Sequence, residues 1–126
     1  MTGPSRICLL YGLLLLAGCS SSTAPLASVQ GQVRFRGRPV AGGTIVFTPD
    51  EQRGGRGPIA CARLDDDGRF RLTSDGRQGA VAGWHRITVA GTGAFHLPGE
   101  LLDPELSGQR FEVRSDQPNL CNLELE

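Results

Sequence analysis

At 126 residues the chain is too short for two domains with separate cores, and its 13 basic residues balance 13 acidic ones. That even balance excludes the basic footprint of a nucleic-acid binder. All of the basic residues are Arg; coding bias accounts for this better than selection for bidentate anion contacts.

The first 18 residues have the layout of an export signal: a short start carrying Arg6, an apolar run from Ile7 to Ala17, and the small-residue junction Ala17-Gly18. The run is shorter than the roughly 18 residues a membrane-spanning helix needs, so a permanent span is not expected. The tetrad Leu16-Ala17-Gly18-Cys19 resembles the lipobox of bacterial lipoproteins. There the Cys thiol takes a diacylglyceryl group, and cleavage between Gly18 and Cys19 leaves Cys19 as the first residue of a chain carrying acyl groups such as palmitate. Two or more acyl chains anchor stably, at about 0.8 kcal/mol per buried CH₂. Ser20, where an Asp would signal inner-membrane retention, resembles sorting to the outer membrane, on its periplasmic or surface face. Residues 20–28, small and polar, cannot bury a core and read as a flexible tether behind the lipidated Cys19.

From Val29 the pattern takes period two. Val29, Gly31, Val33 and Phe35 share one face while Gln30, Gln32, Arg34 and Arg36 share the other, which predicts a half-buried strand. Gly37-Arg38-Pro39 and Gly42-Gly43 predict a reversal. Thr44–Thr48 is the next strand, with Ile45 and Phe47 inward, and Pro49 ends its ladder. An exposed loop covers residues 50–58. Ile59–Leu64 is a third strand, turned by Asp65-Asp66-Asp67-Gly68 into a fourth, in which Phe70 and Leu72 alternate with Arg. After the turn-rich stretch 74–79, Trp84–Val89 is a fifth strand, with His85, Ile87 and Val89 on the core face and Trp84 opposite. An irregular stretch follows from Gly91 to Gly108, with a short turn of helix over Leu101–Leu106. Gln109–Arg114 and Leu120–Glu126 close the series with Phe111, Val113, Leu123 and Leu125 inward. Seven short strands without an amphipathic helix predict an all-β, seven-stranded antiparallel β-sandwich over residues 29–126.

The order of these motifs resembles the carboxypeptidase regulatory-like domain, a transthyretin-like sandwich. The matching residues are Val29-x-Gly31-x-Val33 with Gly37-x-Pro39; Gly43-x-Ile45-x-Phe47-x-Pro49; Asp65-x-Asp67-Gly68-x-Phe70-x-Leu72; Gly79-Ala80; Gly83-x-His85-x-Ile87-x-Val89; Pro98; and Asn119 before Leu123-x-Leu125. The chain departs from the pattern at His85, where the family usually has an inward aromatic, and after Pro98, where Gly-Glu-Leu replaces a common Lys-Tyr pair. The resemblance implies a non-catalytic structural or interaction module with no active-site residues to carry over. The transthyretin-like hydrolases that cleave hydroxyisourate are similar in fold, but their His-rich strand and C-terminal Tyr-Arg-Gly-Ser are missing.

Candidate sites are few. Of four cysteines, Cys8 leaves with the signal and Cys19 takes lipid, so Cys61 and Cys121 remain as a candidate disulfide in an oxidising compartment. Closing a loop of about 60 residues would constrain the unfolded chain by around 4 kcal/mol. Two separate buried thiols are the alternative. The acidic triplet Asp65-Asp66-Asp67 offers oxygens to Ca²⁺, but adjacent carboxylates cannot wrap one ion, and the later bidentate Glu of an EF-hand is missing, so it reads as a solvated turn. His85 and His96 are the only imidazole bases, too few for a metal site and without a convergent nucleophile, so neither catalysis nor a cofactor is expected. Trp84, facing outward, is a candidate contact for a sugar ring or peptide together with the 91–108 loop; lying under a loop or against Arg86 and covering apolar area is its plainer role. The expected partners are thus a membrane, through the anchor, and an envelope protein or polysaccharide, with no nucleic acid.

Overall fold

The computed structural model describes residues 24–92 and 96–126. The signal segment, the Gly18/Cys19 junction and residues 20–23 of the tether lie outside the described residues.

The described chain is mostly β-strand, in twelve segments: β1 (Leu26–Ala27), β2 (Val29–Phe35), β3 (Arg38–Pro39), β4 (Thr44–Pro49), β5 (Ala60–Arg63), β6 (Arg69–Arg71), β7 (Thr73–Ser74), β8 (Arg77–Gln78), β9 (Ala80–Val81), β10 (Gly83–Ala90), β11 (Gln109–Val113) and β12 (Asn119–Leu125). The seven of three or more residues coincide in order with the seven expected. The additional five are two-residue pieces, too short for alternation to register. They form three sheets: six strands in the order β11-β10-β4-β5-β7-β8, four strands in which β2 pairs with β12, β3 and β6, and the pair β1-β9.

Three expectations are corrected. Pairing is not antiparallel throughout, because β12 runs parallel to β2 from Asn119↔Val29 to Leu125↔Phe35. A period-two pattern is the same for either direction, and this pairing is closed by almost the whole intervening chain. The tether is also shorter than read, since Leu26 and Ala27 pair with Val81 and Ala80. Finally, the helical turn of the irregular stretch is a 3₁₀ turn at Gly99–Leu102, followed by a turn in which Asp103 O accepts from the N–H groups of Leu106 and Ser107.

One core joins the two larger sheets. Val29, Val33, Cys121, Leu125 and Phe70 come from one, and Ile45, Phe47, Ile87, Val89 and Val113 from the other. Phe47 sits at its centre, with ring centroids 6.4 Å from Phe70, 6.0 Å from Phe111 and 5.7 Å from His85; such offset contacts suit aromatic quadrupoles. Phe35 and Phe111 are only partly buried against this core. Two hairpins use two-residue loops with both residues at positive φ, Arg36-Gly37 (53° and 79°) and Asp75-Gly76 (50° and 80°). That twist matches the flanking strands. In the β5–β6 turn, the Asp65 carboxylate accepts from the N–H groups of Asp67 and Arg69, both at 2.8 Å. Asn119 fastens the β11–β12 connection, its Nδ2 donating at 3.1 Å to the carbonyls of Ser28, Arg114 and Gln117. No helix among the described residues is long and apolar enough to cross a membrane.

Candidate functional site

The sequence assigns Trp84, Arg86 and Thr88 to the open face of their strand, yet Arg86 is 7% and Thr88 8% exposed. β10 is central, flanked by β11 and β4, and segments following β4 and preceding β11 supply the partners of its second face. Asp50 follows Pro49 directly, at the end of β4. As N-cap of the 3₁₀ turn Glu51–Arg53, it accepts from Gln52 N–H at 3.2 Å. Its backbone N–H donates to Trp84 O at 2.9 Å, which ties the loop to β10.

A small ionic cluster results. Arg86 Nε lies 3.2 Å from Asp50 Oδ1, Arg86 Nη1 2.7 Å from Glu105, and Nη2 donates to Gln52 Oε1 at 2.8 Å. Asp50, only 2% exposed, has its Oδ2 within ion-pair range of Arg53 (3.8 Å) and Arg110 (3.7 Å) but without a hydrogen bond. Coulomb attraction from two half-exposed guanidinium groups compensates that oxygen for lost water. The Arg86 pKa is raised above its ordinary value, first by the hydrogen bond to Glu105 and then by the charges of Asp50 and Glu105 against the opposing effect of burial. Chemically the cluster is a latch: every charge in it faces another.

Trp84 is half-buried, with the Arg53 guanidinium 4.9 Å from its ring centroid. The cation thus occupies the π-face that a sugar ring would need. The structure does not join Trp84 to the 91–108 loop in one described pocket. Instead that stretch contributes Glu105 to the latch and Ser107, whose Oγ donates to Ile87 O at 2.6 Å. Sequence reasoning missed Asp50, Arg86, Glu105 and Ser107. An outward strand face carrying Trp and Thr beside Arg was the one available sign that something covers it.

His85 is fully buried. Its Nδ1 lies 3.0 Å from Gly83 O, and because a carbonyl only accepts, Nδ1 carries the proton and Nε2 is a lone pair without a partner in the core. Burial lowers its pKa, partly opposed by the Gly83 hydrogen bond. The folded state therefore holds a neutral imidazole, whereas the unfolded chain takes a proton below its ordinary pKa of about 6.5. The unfolded state then binds more protons, so stability falls as pH drops below that value and continues to fall toward the lowered folded pKa. His85→Phe, which cannot titrate, should flatten the dependence of Tm on pH between about 7.5 and 5.5; parallel melting curves for parent and variant would exclude His85 as its source. His96 is exposed.

Cys61 is exposed and Cys121 buried, and both are free thiols. They belong to different sheets, Cys61 pairing with Val46 and Cys121 with Gly31. Burial pushes the Cys121 pKa up to about 12, leaving almost no thiolate to react at neutral pH. Iodoacetamide should therefore modify Cys61 in the native protein and Cys121 only in denaturant, read by peptide mass mapping. A non-reduced digest returning the two peptides joined would contradict this.

Among the described residues no group of three or more His, Cys, Asp or Glu could hold a metal ion. Comparison with protein-family models, with curated proteins and with solved structures found no match.

Proposed function

We propose that the protein is an extracytoplasmic lipoprotein, held on a membrane of the cell envelope by lipid on Cys19 and carrying a seven-stranded, carboxypeptidase regulatory-like β-sandwich. It serves there as a non-enzymatic structural or interaction module, facing the periplasm or the cell surface from the outer membrane. The observation that carries the reading is the order of parts: an apolar export segment ending in Leu16-Ala17-Gly18-Cys19, then a short polar run, then an all-β body. The chemistry of that body supports it. The one buried imidazole is sealed against Phe47, and the buried carboxylate and guanidinium are spent on each other, so among the described residues a general base and an activated nucleophile do not meet on a common surface. Catalysis is accordingly not part of the reading, and Arg53 over Trp84 weakens the version in which that ring stacks a ligand.

The test is metabolic labelling with an alkyne-tagged fatty acid, followed by fractionation. Parent protein should be labelled, sediment with membranes and begin at Cys19, while Cys19→Ser should be unlabelled and uncleaved at Gly18. A mature parent protein that is soluble and unacylated would overturn the reading.

A further inference from the structure

The hairpin β5–β6 does not stay in one sheet. β5 pairs with β4 and, at Cys61↔Thr73, with β7, whereas β6 pairs with β2. The two strands part beyond their turn and leave a groove of about 940 Å³ between the sheets. Its lips carry Arg63 on one side and Arg69 and Arg71 on the other. None of the five ion pairs among the described residues uses any of these three guanidinium groups. Asp65, the acidic residue of the lining, has its carboxylate turned to the N–H groups of Asp67 and Arg69.

The register orders the rest of the surface. Arg71 stands opposite Gln30, which stands opposite Leu120, and Arg69 opposite Gln32, which stands opposite Asn122. Two rows thus run from guanidinium to amide, about 7 Å apart along the strands. The far row ends on Leu120, exposed to 64%. The Gln30 amide and Asn122 Nδ2 have no protein partner among the described residues.

We propose that this groove binds an extended polysaccharide bearing carboxylates. Planar guanidinium forks match carboxylate geometry; the Gln30 amide is free both to donate to and to accept from sugar hydroxyls, and Asn122 Nδ2 is free to donate, its Oδ1 already accepting from Gln32 N–H. Two other occupants fit less well. An added peptide strand needs an open backbone edge, but Arg69 N–H and C=O are both taken by Asp65, at 2.8 and 2.9 Å. Single-stranded nucleic acid needs aromatic faces to stack on, and Phe70, the aromatic residue of the lining, is buried. Asp66 and Asp67, exposed in the turn, repel carboxylates at that end and direct the chain toward Arg71 and Leu120.

This deepens the interaction-module reading and fails separately from the anchor, since Cys19→Ser leaves the groove intact. The experiment is calorimetric titration of the full-length protein with oligogalacturonate, with dextran and polyphosphate as comparison probes. Oligogalacturonate should bind, more weakly as salt rises from about 0.05 to 0.5 M because the Debye length contracts. Arg69→Gln with Arg71→Gln should weaken binding at least tenfold at unchanged Tm, and Trp84→Ala should bind as the parent does. Gln30→Ala, which leaves every charge in place, should weaken it severalfold. No binding, equal binding to dextran, tighter binding to polyphosphate, or loss with Trp84→Ala but not with the Arg pair would each overturn the proposal.

Discussion

Replacing Gly31 with Ala is expected to cost on the order of 4 kcal/mol, enough to unfold a domain of this size or to lower its Tm by about 20 °C. Gly31 lies in the middle of β2, between Cys121 of β12 and Phe70 of β6. A Cβ there would run into the Cys121 carbonyl, with its oxygen far inside van der Waals contact and its carbon at 2.5 Å. The obstacle is backbone in a ladder, not the movable end of a side chain, so relief requires β12 to pull away from β2. The parallel pairing of β12 would go first. Gly37→Ala is the control: it strains a positive φ of 79° but meets nothing within 4 Å, so about 1 kcal/mol is expected. Thermal melts followed by circular dichroism separate the two; similar Tm losses would show that β2 and β12 are not packed as described.

Asp50→Ala should cost about 3 kcal/mol and lower the Tm by roughly 10–20 °C. The change removes the cap of the 3₁₀ turn and the buried partner of Arg86 together. Arg86 keeps Glu105 and Gln52, which limits the loss. Asp50→Asn retains an oxygen to cap Gln52 N–H but no charge, so it should fall between parent and Asp50→Ala; the step from parent to Asp50→Asn isolates the ionic part and the step from Asp50→Asn to Asp50→Ala the cap. If both melt with the parent, the latch does not hold the loop to β10.

Much of this architecture could be read from local pattern. Val29, Val33, Ile45, Phe47, Ile87, Val89, Val113 and Leu125 were all assigned inward, and all are buried. The Asp65–Gly68 turn was legible because Gly68 supplies a positive φ of 73° and an Asp carboxylate readily accepts from nearby N–H groups. Asp75-Gly76 carries an equally good signal for the β7–β8 hairpin, masked by the run of turn-forming residues around it.

The proposed binding surface was less legible. Trp84 was singled out for its ring, but the groove that collects unpaired guanidinium groups lies elsewhere, on outward residues of β2, β5, β6 and β12 that each read as ordinary solvated positions. The thiol pair was suggested by counting alone, and neither parity nor spacing says which sheet a strand will join.

By itself the sequence determined where the seven longer strands fall and which side of each enters the core, since alternation and turn chemistry are written within a few neighbouring residues. Only the tertiary structure decided that β12 would pair in parallel with β2, that β5 and β6 would part into separate sheets, and that Arg86 would be enclosed by Asp50 and Glu105. Those outcomes join residues such as Gln52 and Arg86, 34 positions apart, and a side chain's parity is unchanged by which strand lies beside it or by what later covers its outer face.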